Sequence, residues 1–134
     1  MKGARILLIE DDEILCYLIN RNLLVRQHEV RIATNAQAAL RQLRIAPFDL
    51  ILLDINLPDQ TGWEILRTAH REGSLQPRLI DGGHTLPVVV LSAVRVSPQR
   101  LAEFHPLAYL PKPFPMEALL RLAEEAANRR EASA

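Results

Sequence analysis

Leu50-Ile51-Leu52-Leu53-Asp54 is a run of four apolar residues that stops on a carboxylate. Other apolar runs of the chain also stop on polar groups: Ile6–Ile9 before Glu10-Asp11-Asp12, Val88–Leu91 before Ser92, and Leu107–Leu110, which leads through Pro111 to Lys112. Short apolar runs that alternate with helical patterns are typical of buried parallel strands. Ligands of such sheets bind outside the carboxyl ends of the strands. The sequence therefore predicts that three of these acids, a hydroxyl and an ammonium converge at one edge of the sheet.

Size and charge narrow the class of protein. With 134 residues, of which 49% are hydrophobic, the chain suits one domain around one core. Sixteen basic and sixteen acidic residues cancel, which argues against direct nucleic-acid binding and against a polybasic membrane patch. The four apolar residues before Glu10 are too few for a signal peptide or a membrane span, so we expect a cytoplasmic protein. The single cysteine, Cys16, excludes a disulfide framework and is expected to be buried.

Periodicity predicts an α/β domain of five strand–helix units with helices on both faces of a parallel sheet. Strands are predicted over 4–10, around Val30 and Ile32 at a half-exposed sheet edge, and over 48–53, 87–91 and 107–110. Helices are predicted over 12–26 with Leu15, Leu18, Ile19 and Leu23 as an apolar stripe, after a capping box at 34–37, over 62–71, from Pro98, and after Pro115. The core would span 4–128 and the tail 129–134 would fray. The connection 72–86 is long, and Asp81-Gly82-Gly83 within it suits a small hairpin.

The chain resembles the receiver domain of two-component response regulators, including the stand-alone chemotaxis type. The resemblance covers about 4–128 and rests on Asp11-Asp12, on Asp54-Ile-Asn-Leu-Pro-Asp-x-x-Gly62, on Ser92-Ala93 and on Tyr109-Leu-Pro-Lys112-Pro113-Phe114. It implies a flavodoxin-like sheet in the order 2-1-3-4-5. It also implies that Asp54 is the phosphoacceptor, that Asp11, Asp12, Asp54 and the main-chain carbonyl of Asn56 hold Mg²⁺, and that Ser92 and Lys112 contact the phosphoryl group. Tyr109 would be the aromatic switch, and the Lys112–Pro113 bond is expected to be cis.

The chemistry of phosphoryl transfer suits these residue types. Carboxylates crowded at one edge repel each other and require a cation, and oxygen ligands select Mg²⁺, with Mn²⁺ as an alternative. Such a cation aligns the donor for in-line attack by a carboxylate, which then carries an acyl phosphate. Lys112 would supply a compact positive charge and Ser92 a hydrogen bond. The domain would be a regulatory phosphoacceptor rather than an enzyme.

Two regions depart from the family pattern. His105-Pro106-Leu107-Ala108 stands where many receivers have Gly-Ala, and the segment 92–112 is short, so the fourth helix is expected to be truncated. Asn56, two residues after Asp54, can orient a water, but Val94, two residues after Ser92, cannot. These two positions predict a long-lived phosphoryl group. The four histidines show no metal-binding spacing and are expected at the surface or in loops.

The expected role is a signalling switch that takes its phosphoryl group from a histidine kinase or phosphotransfer protein. Phosphorylation would then alter the binding of a downstream protein partner to the surface formed by the fourth helix, fifth strand and fifth helix. Formation of a homodimer on phosphorylation would be a further outcome. A receiver-like adaptor that works without phosphorylation is the alternative. A phosphatase of the haloacid dehalogenase type is disfavoured because that family needs an acid where this chain has Asn56.

Overall fold

The computed structural model describes residues 3–75 and 85–133 of the chain. The described elements follow the predicted alternation, and most bounds lie within two residues of those expected. In chain order they are β1 Arg5–Ile9, α1 Glu13–Val25, β2 Glu29–Ala33, α2 Ala36–Ile45, β3 Leu50–Asp54, α3 Gly62–Arg71, β4 Val88–Ser92, α4 Pro98–Phe104, β5 Ala108–Pro111 and α5 Met116–Ser133. The hairpin predicted at Asp81-Gly82-Gly83 lies outside the described residues. No helix in the described ranges is long and apolar enough to cross a bilayer.

The strands form one parallel sheet in the order β2-β1-β3-β4-β5, which confirms the flavodoxin-like topology. Successive residues of a strand point to opposite faces, so each central strand contributes to two apolar layers. One layer joins Leu7, Ile51 and Val90 to α2 and α3. The other joins Leu8, Leu52 and Val89 to α1 and α5. β3 and β4 are buried along their whole length, whereas β2 at the edge is largely exposed, as predicted.

Four helices begin at a side chain that accepts a hydrogen bond from the first turn, which satisfies an otherwise unpaired backbone N–H. These caps are Asp12 for α1, Asn35 for α2, Thr61 for α3 and Ser97 for α4. The capping box predicted at Thr34 is therefore displaced by one residue, because the Asn35 side chain reaches the Ala38 N–H at 2.8 Å. Two further N–H groups of α2, those of Ala36 and Gln37, donate to Asp59 in the loop after β3.

Two predictions about the packing of the helices are wrong. Leu18 is 45% exposed, because the inner face of α1 consists of Cys16, Ile19 and Leu23. The tail does not fray at residue 129, because α5 continues to Ser133. Ala126 and Ala127 are buried, and the Arg130 guanidinium donates to the carbonyl of Gly3 at 3.1 Å, which holds the last turns against the start of β1.

His28 lies in the loop between α1 and β2, one of the two locations expected for the histidines, but it is buried and not at the surface. Its Nδ1 accepts the backbone N–H of Ala4 at 2.9 Å, across 24 positions of sequence. Burial lowers the pKa of the imidazole below its usual value. The negative charge of Glu124 partly opposes this effect, and the positive charge of Arg26 adds to it. The ring is therefore neutral in the folded protein near pH 7.

Candidate phosphoryl-transfer site

The phosphoacceptor predicted from the sequence, Asp54, is the last residue of β3 and is buried at the carboxyl edge of the sheet. One carboxylate oxygen, Oδ1, accepts the N–H of Asn56 at 3.1 Å. The other, Oδ2, lies 3.6 Å from the ammonium of Lys112. One oxygen of Asp54 is thus held by a backbone N–H, and the other faces a positive charge.

Three carboxylates meet at this edge, and they are not the same three that the family resemblance implied. Glu10, Asp11 and Asp54 each offer an oxygen, and these oxygens lie within 4.8 Å of one another. Asp12 has a different role in the structure, where its Oδ1 accepts the N–H groups of Ile14 and Leu15 at the start of α1. The structure therefore brings together Glu10 with Asp11, where the sequence had paired Asp11 with Asp12.

Strand register explains why Glu10 belongs to the cluster. Ile9 pairs with Leu53 in the sheet, so the next residue of each strand, Glu10 and Asp54, emerges at the same edge. Glu10 is fully buried, and the thiol of Cys16 donates to its main-chain carbonyl at 3.2 Å. Burial raises the pKa of the Glu10 carboxyl to about 7, against the lowering effect of its hydrogen bonds to Lys112 and the Asp12 N–H.

Lys112 makes its shortest contact with Glu10, since its Nζ donates to Oε1 at 2.6 Å. Burial opposes a charge on this ammonium, but the hydrogen bond to Glu10 and the charges of Glu10 and Asp54 outweigh that effect and raise its pKa. Lys112 is therefore a permanent cation. It follows β5, and its peptide bond to Pro113 is cis, as predicted.

Ser92 and Tyr109 converge on a single acceptor in the loop after β4. The buried Ser92 hydroxyl donates to the carbonyl of Val94 at 2.7 Å and accepts the N–H of Val94 at 3.1 Å. The Tyr109 hydroxyl, from β5, donates to the same Val94 carbonyl at 3.3 Å. A change at Ser92 can therefore reach Tyr109 through one backbone group.

The helix next to this loop is short, as expected from the departures in its sequence. α4 has seven residues, none of them buried, and ends at His105, whose φ of 46° and ψ of 54° lie in the left-handed region. That conformation is uncommon for a residue with a Cβ. Contacts with α3 hold α4 in place: the rings of Trp63 and Phe104 stack with centroids 4.9 Å apart, and Arg67 donates to Glu103 at 2.9 Å. Trp63 of α3 thus packs on α4.

Known proteins resemble the chain over nearly its whole length. The sequence model of the response regulator receiver domain matches residues 6–124. The transcriptional regulatory protein KdpE of Mycobacterium tuberculosis is 33% identical over 131 residues, which cover 96% of this chain and 53% of KdpE. The DNA-binding transcriptional regulator NtrC of Azospirillum brasilense is 30% identical over 130 residues, 96% of this chain and 25% of NtrC. The chain thus spans about a quarter to a half of the length of these relatives.

A solved structure supports the same assignment. The CheY-like response regulator receiver domain protein from Methanospirillum hungatei JF-1 superposes with a TM-score of 0.78 and 26% identity, covering 99% of this chain and 100% of that one. Sheet order, helix placement and the acidic edge agree with the sequence match. The chain belongs to the response regulator receiver domain family of two-component signalling.

Proposed function

We propose that this domain is a switch that accepts a phosphoryl group on Asp54 from a phosphohistidine of a histidine kinase or a phosphotransfer protein. The observation that carries the proposal is the position of the buried Asp54 carboxylate. Its Oδ2 lies 3.6 Å from the Lys112 ammonium, and it shares the carboxyl edge of the sheet with the carboxylates of Glu10 and Asp11. An acid beside both a cation and a set of oxygen ligands suits phosphoryl transfer.

Glu10, Asp11 and Asp54 form a donor set that fits Mg²⁺ or Mn²⁺, because it consists of oxygen atoms only and concentrates negative charge. The carbonyl of Asn56, as expected from the family resemblance, would complete the set. When bound, the ion supplies charge neutralisation for the incoming phosphoryl oxygens. Asp12 is left out of this set because its side chain caps α1.

The transfer itself conserves the phosphoryl group. An Asp54 carboxylate oxygen bonds to phosphorus as the bond between phosphorus and the donor imidazole nitrogen breaks, and that nitrogen keeps the electron pair. The donor leaves as neutral imidazole because its other ring nitrogen carries a proton throughout the step. Lys112 stabilises the phosphoryl oxygens by charge, and the Ser92 hydroxyl, 2% exposed, is the hydrogen-bond donor that can turn toward them.

The change of the protein surface after phosphorylation then follows from the Val94 carbonyl, which accepts hydrogen bonds from the hydroxyls of both Ser92 and Tyr109. When Ser92 turns toward the phosphoryl group, it gives up the Val94 carbonyl, to which Tyr109 also donates. Tyr109 rotates inward, and the surface formed by α4, β5 and α5 changes its packing. A local change of charge that biases a surface between two arrangements is the general logic of such switches. A structure with beryllofluoride tests this step, and an unmoved Ser92 beside an outward Tyr109 would contradict it.

Acetyl phosphate with Mg²⁺ tests the phosphoacceptor directly. We expect intact-mass spectrometry to find one acid-labile phosphoryl group on the wild type and none on Asp54→Asn. Asp59→Asn is the matched control, since Asp59 lies in the same loop but is exposed and binds the start of α2. An unmodified wild type would favour the adaptor alternative, and continuous release of inorganic phosphate would favour a phosphatase.

The output is proposed to be protein binding through the surface formed by α4, β5 and α5. Pull-downs with and without beryllofluoride, combined with size-exclusion chromatography, distinguish a downstream protein from a second copy of this chain. A set of bound proteins that is the same in both conditions would contradict a phosphorylation-dependent output.

A further inference from the structure

Glu10 already has a partner for each of its carboxylate oxygens. Oε1 accepts from Lys112 Nζ at 2.6 Å, and Oε2 accepts from the Asp12 N–H at 3.1 Å. The Glu10 side chain is 1% exposed and that of Lys112 is 21% exposed, so little water can replace these contacts. The chain itself therefore occupies one of the three carboxylates that would hold a cation.

Lys112 lies closer to Glu10 than to the phosphoacceptor. Its Nζ is 2.6 Å from Glu10 Oε1 and 3.6 Å from Asp54 Oδ2. Only the first distance is that of a hydrogen-bonded ion pair. In this state the ammonium is hydrogen-bonded to Glu10, a proposed metal ligand, and not to the phosphoacceptor Asp54.

The length of the Glu10 side chain is what makes this contact. An aspartate at the same backbone position is one methylene, roughly 1.5 Å, shorter. Its oxygens would fall out of hydrogen-bonding range of Lys112 unless the ammonium moved. The pair of Glu10 with Lys112 is therefore a consequence of residue choice at position 10 and not of the fold alone.

We propose that Lys112 and the divalent cation compete for Glu10, so that Lys112 is a built-in antagonist of metal binding. Two cations drawn to one buried carboxylate repel each other strongly at such distances. Occupation of the acidic cluster then displaces Lys112 from Glu10, and the free ammonium moves toward Asp54. Binding of the metal ion is thereby coupled to the movement of the Lys112 ammonium toward the phosphoacceptor. This inference rests on the proposed function and concerns how its site is regulated.

Calorimetric titration of Mg²⁺ into four proteins tests the competition. These proteins are the wild type, Glu10→Asp, Lys112→Met and the double variant. Removal of the lysine charge tightens binding under any electrostatic account, so the informative variant is Glu10→Asp, which keeps every charge. We expect Glu10→Asp to bind Mg²⁺ about tenfold more tightly than the wild type, and we expect its effect to vanish in the Lys112→Met background. Equal or weaker binding by Glu10→Asp, or additive effects of the two changes, would overturn the proposal.

The composition of the chain permits a second, spectroscopic measurement. The sequence has two lysines, Lys2 and Lys112, so the ammonium resonance of Lys112 can be assigned by its loss in Lys112→Arg. We expect this resonance to shift as Mg²⁺ is added to the wild type, and to lie close to the metal-bound position in Glu10→Asp before any metal is added. A resonance that does not move at saturating Mg²⁺ would contradict displacement of the lysine.

The two levels of proposal fail in different ways. If the wild type binds no Mg²⁺ and acetyl phosphate leaves Asp54 unmodified, the proposed function fails. If the wild type binds Mg²⁺ and is phosphorylated on Asp54 while Glu10→Asp leaves the affinity unchanged, only the competition for Glu10 fails.

Discussion

Gly62 packs directly against the main-chain carbonyl of Asp54. A Cβ on Gly62 would lie 2.9 Å from that oxygen and 3.1 Å from the Cα of Ile55, and the Gly62 N–H donates to the Ile55 carbonyl at 2.8 Å. The backbone that carries the phosphoacceptor therefore has no room for a side chain here. We predict that Gly62→Ala displaces the loop, lowers the free energy of unfolding by about 1–3 kcal/mol and slows phosphorylation by acetyl phosphate.

Gly73→Ala is the control for this prediction. Gly73 follows the opposite end of α3 and has a φ of 77°, so a Cβ there costs about 1–2 kcal/mol through backbone strain. Denaturant titration should show a loss of stability in both variants, whereas the phosphorylation rate should fall only in Gly62→Ala. If Gly62→Ala were phosphorylated at the wild-type rate, the close approach of Gly62 to the Asp54 carbonyl would not be what positions Asp54.

His28 should make stability depend on pH. Its pKa is lowered in the folded protein, mainly by burial, whereas the unfolded chain takes up a proton near pH 6.5. The unfolded state therefore binds more protons as the pH falls. The stability that the neutral ring contributes is complete above about pH 6.5 and is lost as the pH falls through the lower, folded-state pKa.

Glu10 acts in the opposite direction, because its raised pKa of about 7 makes the folded state the better proton acceptor below that pH. The difference between variants is therefore the informative quantity. Urea titrations between about pH 7.5 and pH 5 should show a smaller loss of stability on acidification in His28→Gln than in the wild type. His70→Gln, at an exposed position, should keep the wild-type profile. Identical profiles for all three proteins would rule out His28 as the titrating group.

Val94 should determine the lifetime of the phosphoryl group. Val94 is 61% exposed and lies two residues after Ser92, and its apolar side chain cannot orient a water toward the phosphorus. We predict that Val94→Gln or Val94→Glu accelerates dephosphorylation by at least about tenfold. A fully positioned general base typically contributes ~10²-fold or more, so we expect a smaller effect than that here. Loss of phosphate from pre-phosphorylated protein measures this rate. Val94→Leu should match the wild type, and unchanged rates in the polar variants would refute the idea.

The attachment of α4 to α3 should depend more on the aromatic stack than on the ion pairs. The Trp63–Phe104 stack is worth about 0.5–1.5 kcal/mol beyond the area that it buries. The Arg67–Glu103 pair joins side chains that are 40% and 47% exposed, and such pairs are worth about 0.2–1 kcal/mol. Denaturant titration should therefore show a larger loss in Phe104→Leu than in Glu103→Gln. The reverse order would mean that charge holds the helix in place.

Much of the site could be predicted from the sequence, because parallel strands place the residues that end them at one edge. Asp54, Ser92 and Lys112 were located in this way. The cis peptide bond between Lys112 and Pro113 was expected from the family resemblance instead. The assignment of Asp12 to the metal cluster illustrates the limit. Three consecutive acids look equivalent in the sequence, and only the register of β1 against β3 distinguishes Glu10, beside Asp54, from Asp12, at the start of α1.

Long-range contacts account for the other differences. Nothing near His28 in the sequence indicates that it is buried, because its ring accepts the backbone N–H of Ala4, 24 positions away. The polar sequence of residues 129–133 likewise does not indicate that Arg130 donates to the carbonyl of Gly3, 127 positions away. Local periodicity carries no information about such partners, since they are fixed only when the sheet has assembled.

The absence of any buried side chain in α4 has a consequence for how this domain can change shape. A seven-residue helix that contributes little to the apolar layers can detach or reorient in a local opening, at a free energy well below that of global unfolding. Its amide hydrogens should exchange with solvent far sooner than those of β3, and the surface beside β5 can be remodelled while the sheet stays intact.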